Sequence, residues 1–434
     1  MLSAEENDLL TQTDTDTLMG TYFRRFWQPV ALSEELTEPD GPPVRVTIMG
    51  EELVAFRDTE GRIGLIGRRC PHRGADLFFG RNEECGLRCV YHGWKFDISG
   101  KAVELPNVEP GVPLHDSVRV ASYPTREYGE IVWAWLGPPD DIPEVPKLEF
   151  GLMPPERRFV SKQLAECNWA QVVEGDLDAS HFSFLHMPAP SVTSPDNPYA
   201  PFDIHRLQVI RKNPIPTIHI LDHDTGFVVG WARNAEEEGT YWRTTQFMLP
   251  AHGTGPAALP GETYFGFTVV PIIDQACWIF VYAWNTERDI GPKERAKLDK
   301  GHAIIAERGP DYVPVRNRSN DFQIDRVVQK NQTFTGVQGL AEQDLMIQQS
   351  QGFIADRTAE CLTATDAAVV KFRRTLVDAA RVLGEGHEPE APWLAEAYHR
   401  RPGSHYAADG IPLEEVLVER FSHPRGQMSA PDQN

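Results

Sequence analysis

Two cysteines and two histidines in the first quarter of the 434-residue chain have the spacing of metal ligands. One residue separates Cys70 from His72, two separate Cys89 from His92, and sixteen lie between the two pairs. Two loops of this kind can hold a zinc ion in a tetrahedral site. They can also hold a [2Fe–2S] cluster, with both cysteines on one iron and both histidines on the other. Zinc sites more often have two-residue gaps in both pairs, so the one-residue gap favours the cluster.

A second candidate metal site lies in the segment NWAQVVEGDLDASHFSFLH, which spans 168–186. His181 and His186 are five residues apart, which on an ideal helix separates them by about 140° around the axis. Both can bind one metal only if the helix is distorted or ends between them, and the nearby Pro188 favours such an end. Two histidines and one carboxylate form the facial ligand set of Fe(II) oxygenases and leave open positions for O₂. A histidine pair on a helix more often has a packing role, and the predicted upstream cluster is what favours iron here.

The residues around the Cys–His pairs predict a small domain made of strands. Short strands separated by turns are expected within 44–66 and 87–104, and a buried strand within 131–136. The four prolines between Gly137 and Pro146 cannot continue a sheet, so we expect a domain boundary there.

The remaining sequence predicts helices packed around a large antiparallel sheet. A helix is predicted over 168–186, and helices return near 293–307 and 363–383. Between them, 204–285 contains strand candidates, of which the first is IHRLQVIRK at 204–212. The predicted fold class is therefore α+β.

Composition excludes several other classes of protein. A chain with 41% hydrophobic and 24% charged residues has the balance of an ordinary folded protein. Its 42 basic and 63 acidic residues give a formal net charge of −21, which disfavours nucleic acid and anionic membranes as partners. No apolar run approaches the ~18–20 residues of a membrane-spanning helix. Since the N-terminus is acidic and unlike a signal peptide, we expect a cytoplasmic protein.

The first metal-ligand segment, CPHRGADL…RCVYHGWKF, resembles the Rieske domain of ring-hydroxylating non-haem iron oxygenases. The family motif Asp-x-x-His-x-x-x-x-His matches the second segment at Asp178, His181 and His186. The resemblance implies a Rieske [2Fe–2S] cluster on the Cys–His pairs and a mononuclear Fe(II) on the two histidines. It also implies a third iron ligand in GLAEQDLMIQQSQG, at Asp344, although Asp344 could instead be a helix N-cap and Glu342 is the second candidate ligand.

The same resemblance implies how electrons pass between the two metal centres. In this family the carboxylate at the position of Asp178 links the iron ligand His181 to a cluster histidine of a neighbouring subunit, which here corresponds to His92. One carboxylate can accept N–H bonds from two imidazoles and orient both. The expected assembly is a head-to-tail homotrimer or a hexamer of two stacked trimers. Asp178 could alternatively hold His181 within its own chain.

The resemblance extends from YFRRFWQPV near the start to DRTAECL at 356–362 and is greatest to the phthalate dioxygenase group. It implies an aromatic carboxylate as substrate, and an arginine is well suited to grip a carboxylate with two parallel hydrogen bonds. Arg243 and Arg206 alternate with apolar and aromatic neighbours on predicted strands, and Ser180 beside His181 is a possible donor. A structural salt bridge is an equally good explanation for either arginine alone.

The function predicted is the oxygenase component of a dioxygenase that converts O₂ and an aromatic carboxylate to a cis-dihydrodiol. Because the chain lacks a dinucleotide fingerprint, electrons from NADH or NADPH should come through a reductase that carries flavin and a ferredoxin-type cluster. A Rieske monooxygenase or O-demethylase on the same ligands is the alternative, since fold and ligands do not fix the outcome. A zinc-stabilised protein or an electron carrier without oxygen chemistry is a third possibility, from a different class.

The expected domain organisation has four parts. A helical segment over 1–40 packs on the catalytic domain, an all-β Rieske domain covers 41–140, a helix-grip-like catalytic domain with a large antiparallel sheet covers 141–425, and a flexible tail covers 426–434.

Overall fold

The computed structural model describes 1–109, 112, 114, 117–178, 180–189, 204–255, 259 and 261–421. The predicted tail at 426–434 lies outside these residues. Internal contacts divide the chain into a small unit, Thr13–Val145, and a large unit, Met1–Gln12 with Pro146–Asn434. Of the segment expected as 1–40, the first twelve residues belong to the large unit and the others to the small unit. None of the described helices combines the length and apolarity that crossing a lipid bilayer requires.

Helices and strands are labelled in chain order. The α-helices are α1 (Ala4–Thr11), α2 (Leu18–Phe23), α3 (Glu149–Leu152), α4 (Trp169–Leu177), α5 (Ile204–Lys212), α6 (Pro292–Asp299), α7 (Arg326–Asn331), α8 (Leu340–Ser350), α9 (Ala367–Gly384) and α10 (Leu413–Phe421). The strands of the small unit are β1 (Trp27–Leu32), β2 (Val44–Ile48), β3 (Glu51–Arg57), β4 (Ile63–Gly67), β5 (Arg81–Glu83), β6 (Gly86–Arg88), β7 (Lys95–Phe96), β8 (Ala102–Glu104), β9 (Ser122–Tyr123), β10 (Thr125–Tyr128) and β11 (Ile131–Trp135). Those of the large unit are β12 (Arg158–Ala165), β13 (Thr217–His223), β14 (Gly226–Asn234), β15 (Thr240–Met248), β16 (His252–Thr254), β17 (Tyr264–Ile273), β18 (Ala276–Trp284) and β19 (Gly403–Ala407).

The small unit is built from antiparallel sheets with the strand orders β1-β11-β10, β2-β3-β4-β9 and β5-β6-β7-β8. Apolar side chains of β3, β4, β6 and β7 form its core, which also includes Cys70, Cys89 and Trp94. The two cysteines are therefore anchored in the packed interior, and the loops that carry them leave from strand ends.

The large unit contains an eight-stranded antiparallel sheet in the order β12-β18-β17-β16-β15-β14-β13, with β19 paired to β15. Helices cover it, and α9 buries Val369, Phe372, Leu376 and Ala380 at helical spacing, as predicted. The predicted α+β class with a strand-rich N-terminal part and a large antiparallel sheet is confirmed.

Three of the predicted elements were wrong in kind or extent. The helix expected near 293–307 is α6, which ends at Asp299. The segment IHRLQVIRK forms helix α5 instead of a strand: Arg206, Val209 and Ile210 are buried at intervals of three and four, whereas Gln208 and Lys212 are exposed. A nine-residue segment of mixed apolar and charged residues satisfies both periodicities, and packing decides between them. The helix predicted over 168–186 is shorter, since α4 ends at Leu177.

A buried ion-pair network holds α4 in place. Glu174 accepts hydrogen bonds from Arg357 at 2.7 and 2.9 Å and from Arg373 at 2.7 Å. Burial raises the pKa of the Glu174 carboxyl, but the two guanidinium groups outweigh this effect and bring the pKa below its usual value. The charged network thus fixes the helix that leads into the histidine segment.

Candidate metal centres

The two Cys–His pairs of the small unit lie on loops with the same hydrogen-bond pattern. Cys70 N donates to Ala75 O at 2.9 Å, and Cys89 N donates to Trp94 O at 2.8 Å. In the first loop Gly74 N donates back to Cys70 O, and in the second Gly93 N donates back to Cys89 O. Both glycines have positive φ, +71° and +78°, which residues with a Cβ rarely adopt. The backbone thus builds two matching tight turns, each of which presents one cysteine and one histidine.

The four side chains lie close together, with the cysteines buried and the histidines nearer the surface. Cys70 and Cys89 are only 2% and 3% exposed, whereas His72 and His92 are partly exposed. The two imidazoles contact each other, with ring centroids 4.4 Å apart, and the His72 ring also stacks on Trp94 at 4.6 Å. The sulfur side of the site is therefore buried, and its histidine side reaches the surface.

One nitrogen of each histidine at this site has no hydrogen-bond partner in the described chain, as expected of a metal ligand. The Nδ1 atoms of His72 and His92 are both buried and accept or donate no hydrogen bond in the described chain. Burial raises the pKa of the Cys70 thiol to about 11, so a thiolate at this place needs a cation beside it. Two buried sulfurs and two unbonded imidazole nitrogens fit the donor set of a Rieske cluster.

A second group of ligand atoms meets in the large unit. His181, His186 and Asp344 each offer one atom, and all three atoms lie within 4.8 Å of one another. His186 Nε2 is 3.0 Å from His181 Nε2 and 3.1 Å from Asp344 Oδ1, and the third separation is 3.8 Å. With metal–ligand bonds of about 2.1 Å, neighbouring octahedral positions lie about 3 Å apart. The three atoms fit one face of an octahedral ion.

The end of α4 explains how histidines five residues apart reach one point. Asp178 follows the helix with extended backbone angles, φ −84° and ψ 105°, and a short 3₁₀ turn then covers His181–Ser183. Asp344 comes from the first half of α8 and is not its N-cap, a position that Gly339 holds. Burial and the neighbouring His186 lower the pKa of His181, which keeps its imidazole neutral and able to bind a cation.

The tautomer of His186 is determined by a residue that the sequence did not suggest. His186 Nδ1 lies 2.8 Å from Gln343 Oε1, while Gln343 Nε2 donates to Val337 O at 2.8 Å. Because the amide nitrogen is committed to a carbonyl, Oε1 must accept the hydrogen bond from His186 Nδ1. The proton is thereby held on Nδ1, and the lone pair of Nε2 faces His181 and Asp344.

Asp178 is positioned by its own turn and faces the other side of His181. Its Oδ1 accepts hydrogen bonds from Ser180 N at 2.8 Å and Ser180 Oγ at 2.7 Å. Its Oδ2 lies 4.0 Å from His181 Nδ1, and the side chain is 30% exposed. The carboxylate also lines a pocket with Ile347, Gln351 and Glu360, on the surface of the large unit. One oxygen of Asp178 is therefore fixed by Ser180, and the other stands between His181 and the surface.

A cavity adjoins two of the three ligand residues, and its walls are mostly apolar. It lies between α4, α8 and the large sheet, and His181 and Asp344 line it. The other lining residues include Val172, Asp176, Phe182, Trp231, Arg243, Thr245, Phe267, Ile279, Val281 and Leu345. A cavity of this composition suits a flat apolar ring that carries a polar group.

The two arginines singled out in the sequence differ in their surroundings. Arg243, on β15, is 3% exposed, lines the cavity and lies over the rings of Phe182 and Trp231, at 4.1 and 5.5 Å. Arg206 does not line the described cavity, and both its terminal nitrogens are bonded to Glu262, at 2.8 and 3.0 Å. The salt-bridge explanation therefore describes Arg206, and Arg243 is the cation that faces the cavity.

The second candidate carboxylate, Glu342, has a different task from metal binding. Its Oε1 accepts hydrogen bonds from Glu307 N at 3.0 Å and Arg316 at 3.1 Å, and the residue is 1% exposed. The group of ligand atoms around His181 includes Asp344 and not Glu342.

A strand-rich unit with paired Cys–His loops, joined to an α+β unit with two histidines and a carboxylate beside a cavity, defines a two-centre iron oxygenase. Comparison with known proteins bears on this class. A family model described as the Rieske [2Fe-2S] domain matches 26–124, and one described as LigXa C-terminal domain like matches 134–393.

Curated relatives match over nearly the full chain. The phthalate 4,5-dioxygenase oxygenase subunit of Pseudomonas putida is 36% identical over 89% of this chain and 88% of its own. The 3-chlorobenzoate-3,4-dioxygenase oxygenase subunit of Comamonas testosteroni is 35% identical over 97% of this chain and 99% of its own. Among solved structures, dicamba monooxygenase bound to dicamba has the same fold, with a TM-score of 0.57 and 19% identity over 84% of this chain and 99% of its own.

The chain belongs to the Rieske non-haem iron oxygenases, as an oxygenase component. It is an enzyme whose cofactors are a Rieske [2Fe–2S] cluster and a mononuclear non-haem iron, which decides against the zinc alternative. As an oxygenase component it uses O₂ and receives electrons from separate electron-transfer proteins.

The contact between Gln343 and His186 leads to a prediction about the mononuclear iron. Changing Gln343→Leu removes the acceptor that fixes His186 Nδ1–H, so we expect mononuclear iron to bind about 10- to 100-fold more weakly. Gln343→Glu retains an acceptor at the same place and should retain most of the affinity. Iron titration of protein stripped by a mild chelator measures the effect, and the cluster absorbance of the same samples is the control. Equal iron affinity in all three proteins would contradict this role.

Proposed function

We propose that the protein is the oxygenase component of a ring-hydroxylating dioxygenase that converts an aromatic carboxylate to a cis-dihydrodiol. The observation that carries the proposal is the place of Arg243, a buried cation in an apolar cavity that also contains His181 and Asp344. An aromatic ring can fill the apolar part, and a carboxylate on that ring can form paired hydrogen bonds with the guanidinium. Both curated relatives described above are named for aromatic acids, which agrees with this substrate class.

The electrostatics of the cavity support an anionic ligand. Burial lowers the pKa of the Arg243 guanidinium, Tyr241 and Asp176 oppose this effect, and Arg206 adds to it. A cation that burial disfavours gains free energy when an anion binds beside it. In a protein with a net charge of −21, this local positive potential supplies the attraction that the surface as a whole does not.

We assign the cluster ligands to Cys70, His72, Cys89 and His92, and the mononuclear iron ligands to His181, His186 and Asp344. When bound, the cluster supplies single electrons and the mononuclear iron activates O₂. The residues of the chain orient these groups: Gln343 holds the His186 proton, and Asp178 faces His181 Nδ1. Ser180 does not line the described cavity, and its hydroxyl donates to Asp178, so we assign it to fixing Asp178 instead of to substrate binding.

We further propose that Asp178 accepts a hydrogen bond from a cluster histidine of a neighbouring subunit, in a head-to-tail trimer or a stack of two trimers. The support is that Asp178 is partly exposed in a surface pocket, and that His92 is partly exposed beside the exposed side chains of Val90 and Tyr91. Two partly exposed polar groups, each in a setting that a partner surface can cover, suit an intersubunit contact. The reductase would carry flavin and a ferredoxin-type cluster, in the cytoplasm.

We also retain the domain assignment of 41–140 to the cluster and 141–425 to the mononuclear iron. The contact units of the chain, divided between Val145 and Pro146, carry the two ligand sets separately, which supports the boundary near 140. The small unit begins at Thr13, so 13–40 belongs with the cluster domain.

Monooxygenation or O-demethylation of an aromatic acid ether is the second candidate. It is favoured by one observation, that the 5,5'-dehydrodivanillate O-demethylase oxygenase subunit of Sphingobium sp. is 30% identical over 98% of this chain and 94% of its own. Incubation with aromatic acids, a surrogate reductase and ¹⁸O₂ separates the two functions by product mass. A dioxygenase gives a product with two labelled oxygens and two added hydrogens, whereas demethylation gives a phenol and formaldehyde. A failure to oxidise any aromatic acid would contradict both.

Replacement of Arg243 tests the substrate class. We expect Arg243→Met to lower kcat/KM for an aromatic acid roughly 30-fold or more, the equivalent of about 2 kcal/mol for a lost buried charge partner. The methyl ester of the same acid should change less than about threefold, because it cannot accept a bidentate ionic contact. Arg326→Met, a change on the exposed face of α7, is the matched control. Equal losses for acid and ester would remove Arg243 from substrate binding.

A further inference from the structure

A buried glutamine in the cavity wall has no role in the site described so far. Gln348 lies on α8 one helical turn after Asp344, so the two side chains share a face of the helix. The residue is 7% exposed, and its Oε1 atom is buried without a hydrogen-bond partner in the described chain. A buried carbonyl oxygen without a partner is costly, and in a cavity wall it points to a ligand that supplies a donor.

The side-chain amide of Gln348 lies at the wall that the cavity shares with the surface pocket of Asp178. The residues that line both hollows are Gly175, His181, Asp344 and Gln348. A Cβ on Gly175 would lie only 2.5 Å from Gln348 Nε2, so the amide packs directly on this glycine of α4. The amide therefore lies on the helix side of the cavity, close to two of the assigned iron ligands.

The backbone of Gln348 is fixed by hydrogen bonds between the two helices, whereas its side-chain oxygen is not. Gln348 O accepts a hydrogen bond from Gln171 Nε2 on α4 at 2.7 Å, and the same nitrogen donates to Gly352 O at 3.1 Å. These contacts hold the end of α8 against α4. A ligand that binds Oε1 therefore meets a positioned acceptor that has no protein hydrogen bond to give up.

We propose that Gln348 is a specificity-determining residue, whose Oε1 accepts a hydrogen bond from a hydroxyl or amino group on the substrate ring. The inference rests on the proposed function and narrows its substrate class to aromatic acids that carry such a donor. Arg243 lies on β15, on the sheet side of the cavity, and Gln348 lies on α8, on the helix side. A ring held at both points has a fixed orientation, which determines which of its carbons face His181 and Asp344.

The test is the affinity of the resting holoenzyme for substituted benzoic acids, measured by calorimetry without reductant. The ligands are benzoic acid, its three isomeric hydroxy derivatives and the corresponding methoxy derivatives, whose ether oxygen cannot donate. We expect the wild type to bind at least one hydroxy acid about tenfold more tightly than benzoic acid and the matching methoxy acid. Gln348→Met keeps the length of the side chain but offers at most a weak acceptor. In this variant the preference should fall to about twofold or less, with the affinity for benzoic acid retained.

A second variant displaces the amide without replacing it. Gly175→Ala places a methyl group against Gln348 Nε2, the far end of a flexible side chain, and alanine is favourable inside a helix. This variant should fold and lose the same preference, so it decides the question if Gln348→Met does not fold. Gln351→Met, at an exposed residue that lines the surface pocket and not the described cavity, is the matched control and should keep the preference. Far-ultraviolet circular dichroism checks the folding of each variant.

Three results would overturn the inference. One is a wild type that binds no hydroxy acid more tightly than benzoic acid, a result that needs no variant. Another is a preference that survives in folded Gln348→Met, and a third is an equal loss for hydroxy and methoxy acids, since an ether oxygen can only accept. In all three the acids still bind, and the proposed substrate class stands. A wild type that binds none of these acids would overturn that class as well.

Discussion

An Asp178→Asn variant should retain both metal centres and yet form product about 100-fold more slowly than the wild type. The change preserves size and leaves one oxygen in the Oδ1 position, which accepts hydrogen bonds from Ser180 N and Ser180 Oγ. The turn after α4 should therefore keep its conformation. The substitution therefore acts through the other carboxylate atom, Oδ2.

The atom facing His181 determines the size of the effect. In the wild type, the negatively charged Asp178 Oδ2 faces His181 Nδ1 at 4.0 Å, a charge contact beyond hydrogen-bond distance. In the variant an NH₂ group takes that place, and two donors then face each other. The amide also lacks the negative charge and the spare lone pairs that would accept a second imidazole from a neighbouring subunit.

Rapid mixing separates electron transfer from metal loss. Protein with a chemically reduced cluster is mixed with O₂ and substrate, and reoxidation of the cluster is followed by its visible absorbance. We expect iron content and reducibility to match the wild type, with reoxidation slowed in step with product formation. Ser180→Ala, which removes only one of the two hydrogen bonds to Oδ1, should have a much smaller effect. Wild-type turnover in Asp178→Asn would refute the bridging role.

Local patterns in the sequence predicted the ligand loops, because their geometry depends on nearby residues. The spacing of the Cys–His pairs was enough to predict two ligand loops, in which Gly74 and Gly93 form the tight turns. The five-residue histidine spacing predicted a helix that is distorted or ends between His181 and His186, and α4 ends earlier still, at Leu177. The class of the fold followed from similar local signals.

Residues whose roles depend on distant contacts could not be predicted. Arg206 was expected on a strand beside the substrate, yet it lies on α5 and binds Glu262, 56 residues later in the chain. Gln343 acts on His186 from 157 residues away. A glutamine beside a ligand aspartate has no distinctive spacing, although its place one residue before Asp344 is a signal that a helix model of the segment could have used.

Mixing two inactive variants should restore activity if electrons cross between subunits. A chain without a cluster, Cys89→Ala, keeps its iron site, and a chain without mononuclear iron, His186→Ala, keeps its cluster. In a randomly mixed head-to-tail ring, a working junction needs an intact cluster on one side and an intact iron site on the other, so about a quarter of the junctions should be active. Transfer within one chain would give no activity, because every chain has one lesion.

The same experiment locates Asp178 on one side of the junction. A mixture of Asp178→Asn chains with Cys89→Ala chains should recover about a quarter of the wild-type rate. The Cys89→Ala chain supplies the aspartate and the iron site, and the Asp178→Asn chain supplies the cluster. A mixture of Asp178→Asn chains with His186→Ala chains should remain inactive, since both changes damage the iron-binding side of the junction, which receives the electron. Differently tagged chains, purified in two affinity steps and sized by light scattering, ensure that mixed assemblies are measured. Equal recovery in both mixtures would place Asp178 outside the electron path, and recovery in neither, with mixed assemblies present, would mean that each chain works alone.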